Sequence, residues 1–153
     1  MEIAGETFMI GLRDYQSIPE SDCLPRGRDR VEEPQTYLWL HYPGKVRSRA
    51  NAREHWAVRA RRDKVAKGSI MVMLKSKLTV EEFETATIWL TRIGRKMDGD
   101  NLQNAFKPIR DGIALVLGID DGDSRLRWEY HQAAKVDDLK TGALIEIEFG
   151  VGL

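Results

Sequence analysis

The sequence predicts an α+β fold, a mixed β-sheet with two main helices in the order β-α-β-α-β-β. Three observations carry that expectation. Short apolar or alternating runs recur along the chain from Tyr37 onward, two longer segments hold apolar residues at helical spacing, and Gly or Pro punctuates the joins between them.

Residues 1–36 differ from the rest. Pro19, Pro25, Pro34 and the run RGRDR leave no sustained period, although 8–12 could add a short strand, and the segment reads as a loosely ordered amino-terminal extension. The main domain is expected over 37–153. Its first strand is YLWLHY, closed by Pro43 and Gly44. A helix should follow over 51–67. Asn51 and Glu54 have capping-box spacing, Ala52, Trp56 and Ala60 form a narrow apolar stripe, and Gly68 is its stop. His55 and Trp56 are read as capping-turn and core residues rather than a base-stacking pair.

ETATIWLTRI, at 84–93, reads as a strand with Ala86, Ile88 and Leu90 on one face, ended by Gly94. The second helix is expected over 101–117, with Asp100 as N-cap, a broad stripe from Leu102 to Leu117, a bend at Pro108 and Gly118 as its end. Two final strands, RLRWEYH and ALIEIEFG, alternate apolar and polar residues and pair most simply as antiparallel neighbours. The first strand and ETATIWLTRI, joined through a helix, would form a crossover if parallel.

The chain has 153 residues, enough for one domain with a real core. Cys23 is the only cysteine, which rules out an intramolecular disulfide or a cysteine-based zinc cluster and fits a reducing cytoplasm. A soluble, non-secreted protein is expected, because no signal-like leader or membrane-length apolar run is found.

Net charge is zero, yet it is unevenly spread. Residues 45–67 hold nine Lys or Arg against Glu54 and Asp63, whereas 98–123 hold six Asp against Lys107 and Arg110. A basic surface beside an acidic pocket suits a metal-using enzyme that acts on a polyanion. Arg47, Arg49, Arg53, Arg59, Arg62 and Lys64 are the candidate phosphate contacts.

Asp98, Asp100 and Asp121 supply hard oxygen donors if the chain after the second helix returns beside the first two, and such donors select Mg²⁺ or Mn²⁺. One or two such ions could activate water and neutralise a leaving alkoxide. The same residues equally suit a turn, an N-cap and a solvated loop. A calcium-binding EF-hand is disfavoured, because Leu102 stands where a third oxygen is needed.

The run K-M-D-G-D-N-L-Q, followed by K-P-I-R-D-G-I-A-L-V-L-G-I-D-D-G-D, resembles the D-x-D-N-L helix and downstream D-D of the RusA family of Holliday junction resolvases. N-A-R-E-H-W-A-V-R-A-R-R resembles the start of that family's first helix, especially in phage-type members. The resemblance covers most of 37–149. It implies a homodimeric, Mg²⁺-dependent endonuclease that cuts four-way DNA junctions in recombination and repair, in the cytoplasm of a bacterial or phage-infected cell. Asp98, Asp100 and Asp121 would be its metal ligands.

An ungapped match puts Asn104 at the family's active-site lysine. Lys107, one turn later, is the better chemical candidate, since it could reach the scissile phosphate; its bland role is an ion pair with Asp111. Asn101, Asp120 and Asp123 are expected around the ligands rather than among them. Two other readings stay open: a nuclease preferring flaps or forks, and a catalytically silent DNA-binding or replication-regulating module.

Overall fold

Alternation of apolar and polar residues builds the sheet, and burial decides which strand lies where in it. The structure, a computed structural model, describes residues 10–11, 36–48 and 53–150. Its elements are β1 (Ile10–Gly11), β2 (Thr36–Tyr42), α1 (Trp56–Lys75), β3 (Thr85–Ile93), α2 (Gly99–Ala105), α3 (Lys107–Leu117), β4 (Leu126–Ala133) and β5 (Gly142–Gly150). The class is α+β and the sheet is mixed, as expected. The rest of the expected 1–36 extension lies outside the described residues, as does residue 151 onward.

The sheet order is β1-β2-β5-β3-β4. β5 runs antiparallel to both β2 and β3, β4 runs parallel to β3, and β1 is antiparallel to β2. The expected pairing of the last two strands is therefore corrected: β5 sits between β2 and β3, and β4 lies at the edge. Burial explains the exchange. Ala143 to Ile147 of β5 are all buried, which demands cover on both faces, whereas β4 carries Arg127 and Glu129 toward solvent, as an edge strand should.

One face of the sheet meets the helices. Leu38, Leu40, Ala86, Ile88, Leu90, Leu126, Ile145, Ile147 and Phe149 pack there with Ile70, Leu74, Leu102, Phe106, Ile109 and Ile113. The opposite face holds a smaller cluster of Ile93, Ala133, Leu144 and Val136, with Trp39 and Leu139 against it.

Both helix expectations need correction. α1 starts at Trp56, not 51, and runs through Gly68 to Lys75. Its N-cap is His55, whose Nδ1 accepts from the Ala57 N–H at 3.3 Å, while Glu54 is engaged by Arg62 at 2.6 Å. Asn51 and Ala52 lie outside the described residues. The face that binds α1 to the core is Ala66, Ile70, Met73 and Leu74, the last three beyond the expected end; burying it outweighs the helix-breaking tendency of one glycine. Trp56, expected in the core, is 73% exposed.

The second helix is two. The break falls at Phe106, whose N–H is shared between the carbonyls of Leu102 and Gln103 at 3.2 Å each. Pro108 lies in the first turn of α3, where its missing N–H costs no helical bond. Asp98, not Asp100, is the N-cap of α2. Gly118 ends α3 with φ 72°, the left-handed conformation that favours glycine. Gly112 lets α1 and α3 touch: a Cβ there would lie 3.0 Å from the Lys67 carbonyl oxygen. No helix among the described residues is long and apolar enough to cross a membrane.

Candidate functional site

The turn after β3 delivers the first two acidic candidates. Gln132, near the end of the parallel neighbour β4, accepts from the Met97 N–H at 2.8 Å and donates to the Met97 carbonyl at 2.7 Å. This planar amide continues the β3–β4 ladder beyond the strand and fixes the backbone just before Asp98. Asp98 is extended, exposed and makes no side-chain cap bond; Asp100 is exposed in the first turn of α2. Both carboxylates face water. Asn101 accepts from the Ser48 hydroxyl at 2.9 Å, tying α2 to the segment after β2.

Asp121 is held differently. Its carbonyl accepts from the Trp128 indole at 2.9 Å and from Arg110 at 3.4 Å, and its Oδ2 lies 3.0 Å from Arg110 Nη2. Arg110 rests over the Trp128 ring, 5.0 Å from its centroid. Lys107 Nζ lies 3.1 Å from Asp111 and 3.9 Å from Asp121. The loop after α3 thus doubles back along the helix and brings Asp121 to Lys107, while the Lys107–Asp111 ion pair is present as well. Burial pushes the nearby Tyr130 phenol up, and the Arg110 guanidinium partly opposes that.

Asp120 and Asp123 shape the loop. Asp120 accepts from the Gly122 N–H at 2.9 Å. Asp123 accepts from Arg125 through its backbone N–H, Nε and Nη2, and these hydrogen bonds lower its carboxyl to about 2.

Of the candidate phosphate contacts, Arg47, Arg53 and Lys64 are exposed, and Arg59 is partly buried. Arg49 lies outside the described residues. Arg62 is less free than expected, since Glu54 and Asp63 flank it at 2.6 and 3.9 Å. Arg62, Lys45 and Arg47 line a small cleft with Tyr42, Asp63 and Pro108.

The donors expected for Mg²⁺ are the carboxylates of Asp98, Asp100 and Asp121. They are not gathered: among the described residues, no group of three or more His, Cys, Asp or Glu could hold a metal ion. Asp121 is joined to cations instead. Sequence reasoning missed Arg110, Trp128 and Gln132. The available signal for Arg110 was its position three residues after Lys107, which puts both on one face of a helix.

Fold and site together define a mixed-sheet α+β protein with a carboxylate–cation cluster on its helical layer. No family model matches the chain. It is 35% identical over 113 residues to an uncharacterised protein of Xylella fastidiosa, across 69% of this chain and 71% of that one, and it belongs to that protein's family. Among solved structures it is similar to the bifunctional IspDF of Campylobacter jejuni, with 17% identity and TM-score 0.33 over 53% of this chain and 22% of that one. It is also similar to IspF of Plasmodium falciparum in a CDP complex, with 14% identity and TM-score 0.29 over 59% and 53%. The chain spans from about a fifth to about half of these structures. Likenesses this weak bear on neither fold nor activity.

Proposed function

We propose that the chain is a RusA-like, metal-dependent endodeoxyribonuclease that resolves four-way DNA junctions by paired phosphodiester hydrolysis. The observation that supports this reading most is the approach of Asp121 to Lys107 at 3.9 Å, which joins the downstream D-D run to the helix pair that begins with D-x-D-N-L. Mg²⁺, or Mn²⁺ in its place, would be held by Asp98, Asp100 and Asp121, and when bound would supply an activated water and charge neutralisation at the phosphate. Lys107 would contact the scissile phosphate. Arg47, Arg49, Arg53, Arg59, Arg62 and Lys64 would track the backbone of the arms, with exposed Trp56 offering a ring for an unpaired base. A two-fold homodimer would deliver the two opposed cuts. Residues 37–153 would form the nuclease domain, in the cytoplasm.

The competing reading is a DNA-binding or replication-regulating module without catalysis, favoured by the ungathered carboxylates. Titration of Mg²⁺ with labelled four-way junction, flap, fork and linear duplex separates the two. Preferential, paired nicking of the junction is expected. Equal cutting of all four substrates would remove the resolvase assignment, preference for a flap or fork would redirect it, and binding without cutting would establish the silent module. Asp100→Asn is expected to abolish cutting while junction binding in Ca²⁺ persists; wild-type cutting by this variant would remove Asp100 from the site.

A further inference from the structure

α1 is apolar on two faces. One packs on the core through Ala66, Ile70, Met73 and Leu74. The other holds Val58, Val65 and Val72, which are 54%, 59% and 72% exposed. Single exposed valines are ordinary on a protein surface, but these three recur at intervals of seven residues and so line one side of the helix over about 21 Å. Seven is the repeat with which one helix meets another along a seam.

Gly68 lies in the same seam, three residues after Val65 and four before Val72. A glycine inside a helix weakens it, and Gly112 shows the usual reason for accepting this, since a Cβ there would press on the Lys67 carbonyl. Gly68 has no such reason among the described residues: its backbone is helical, and a Cβ on it would meet nothing within 4 Å. The gap between Val65 and Val72 is a hole open to the outside, of the kind that receives a side chain from a facing helix. Charge selects the occupant. The exposed ionic side chains of α1 are Arg61, Lys64 and Lys75, all cationic, with Arg61 and Lys75 in the seam itself, whereas its one carboxylate, Asp63, lines the cleft with Tyr42 and Pro108. A second copy would set these cations against their own kind, and an acidic helix would neutralise them.

We infer that this face of α1 docks an acidic amphipathic helix of a partner protein, whose apolar stripe lies along Val58, Val65 and Val72, sends one side chain into the hole at Gly68 and sets carboxylates against Arg61 and Lys75. The inference does not depend on the nuclease reading, in which neither Arg61 nor Lys75 takes part.

Fluorescence anisotropy of a labelled synthetic peptide, titrated with the full chain, tests this. The probe has three heptads, with Leu along its seam and Glu on either side. One control carries the same residues in scrambled order, and the other carries Lys in place of Glu. The probe should bind about tenfold more tightly than either control and be released as salt is raised. Val65→Asp and, separately, Val72→Asp should each weaken it about tenfold with little change in melting temperature, since both side chains face water. Gly68→Ala should melt about 2–4 °C higher, because alanine favours the helix interior, and yet bind about tenfold more weakly, because the hole is filled.

Equal binding of either control, or unaltered binding by both aspartate variants, would overturn the inference. A lower melting temperature in Gly68→Ala would reveal an internal reason for the glycine and overturn it as well. Sedimentation equilibrium and four-way junction titration address the rival occupants. A dimer that Val65→Asp dissolves would give the face to a second copy, and junction affinity lost in Val65→Asp would give it to DNA; either result overturns the inference.

Discussion

Phe106 joins the two helices that carry the acidic candidates and Lys107, and replacing it tests how far the site depends on that joint. The side chain is 0% exposed and packs against Tyr130, with ring centroids 6.0 Å apart. Phe106→Ala removes a fully buried ring from beneath both α2 and α3, a change that costs about 3–5 kcal/mol in a packed core. At roughly 2–4 °C per kcal/mol for a domain of this size, the melting temperature should fall by about 10 °C. Phe106→Leu keeps most of the volume and loses chiefly the aromatic pair, so about 1 kcal/mol and a few degrees are expected. Thermal melts by circular dichroism, paired with guanidinium denaturation, give both numbers. If the Ala variant melts within two degrees of wild type, as gauged against that scale, or matches the Leu variant, the joint is not held by packing. On the proposed nuclease reading, the Leu variant should also lose turnover beyond what its small instability explains, because Phe106 joins the helix that carries Asp100 to the one that carries Lys107.

Lys107→Ala should leave stability within a few tenths of a kcal/mol, since its ion pair with Asp111 is exposed, and on the proposed nuclease reading should lower turnover more than junction affinity; an unchanged rate returns Lys107 to the ion pair alone. Trp56→Ala should weaken junction binding about fivefold or more without moving the melting temperature, because the ring is 73% exposed. Asp123, lowered to about 2 first of all by its hydrogen bonds to Arg125, should show a carboxyl carbon titration near that pH. A depressed carboxyl stabilises the fold above its unfolded value and loses that contribution as pH falls through the folded one, so the loop should hold well below the ordinary carboxylate range; a normal midpoint would show that the pair does not form in solution.

Strand positions were legible because alternation is a local signal: YLWLHY, ETATIWLTRI, RLRWEYH and ALIEIEFG all became strands within two residues of their expected bounds. Their neighbours were not, since a chain records which face a residue takes but not which strand lies beside it. Glu146 shows the limit. It alternates with Ile145 and Ile147 as a solvent-facing residue would, yet it is 1% exposed, with the Tyr37 hydroxyl donating to it. The helix errors have a related cause. Capping letters at Asn51 and Glu54 suggested a start, but burial of Ile70, Met73 and Leu74 decided where α1 runs. At the candidate site the acidic letters stood out, whereas the cation that holds Asp121 looked like one arginine among many.

The last strand in sequence is the middle strand in space. β2 and β3 share no ladder except through β5, so a ribosome must finish residue 150 before the sheet can close. Until then β2 waits without the partner that carries its whole register, and β3 has only β4 to one side. Synthesis therefore leaves two apolar strand edges open for longer than in a sheet assembled in chain order, with the exposure to mispairing that this brings. Closure is a single late event dominated by contacts far apart in the chain, which favours slow, all-or-none folding over stepwise growth.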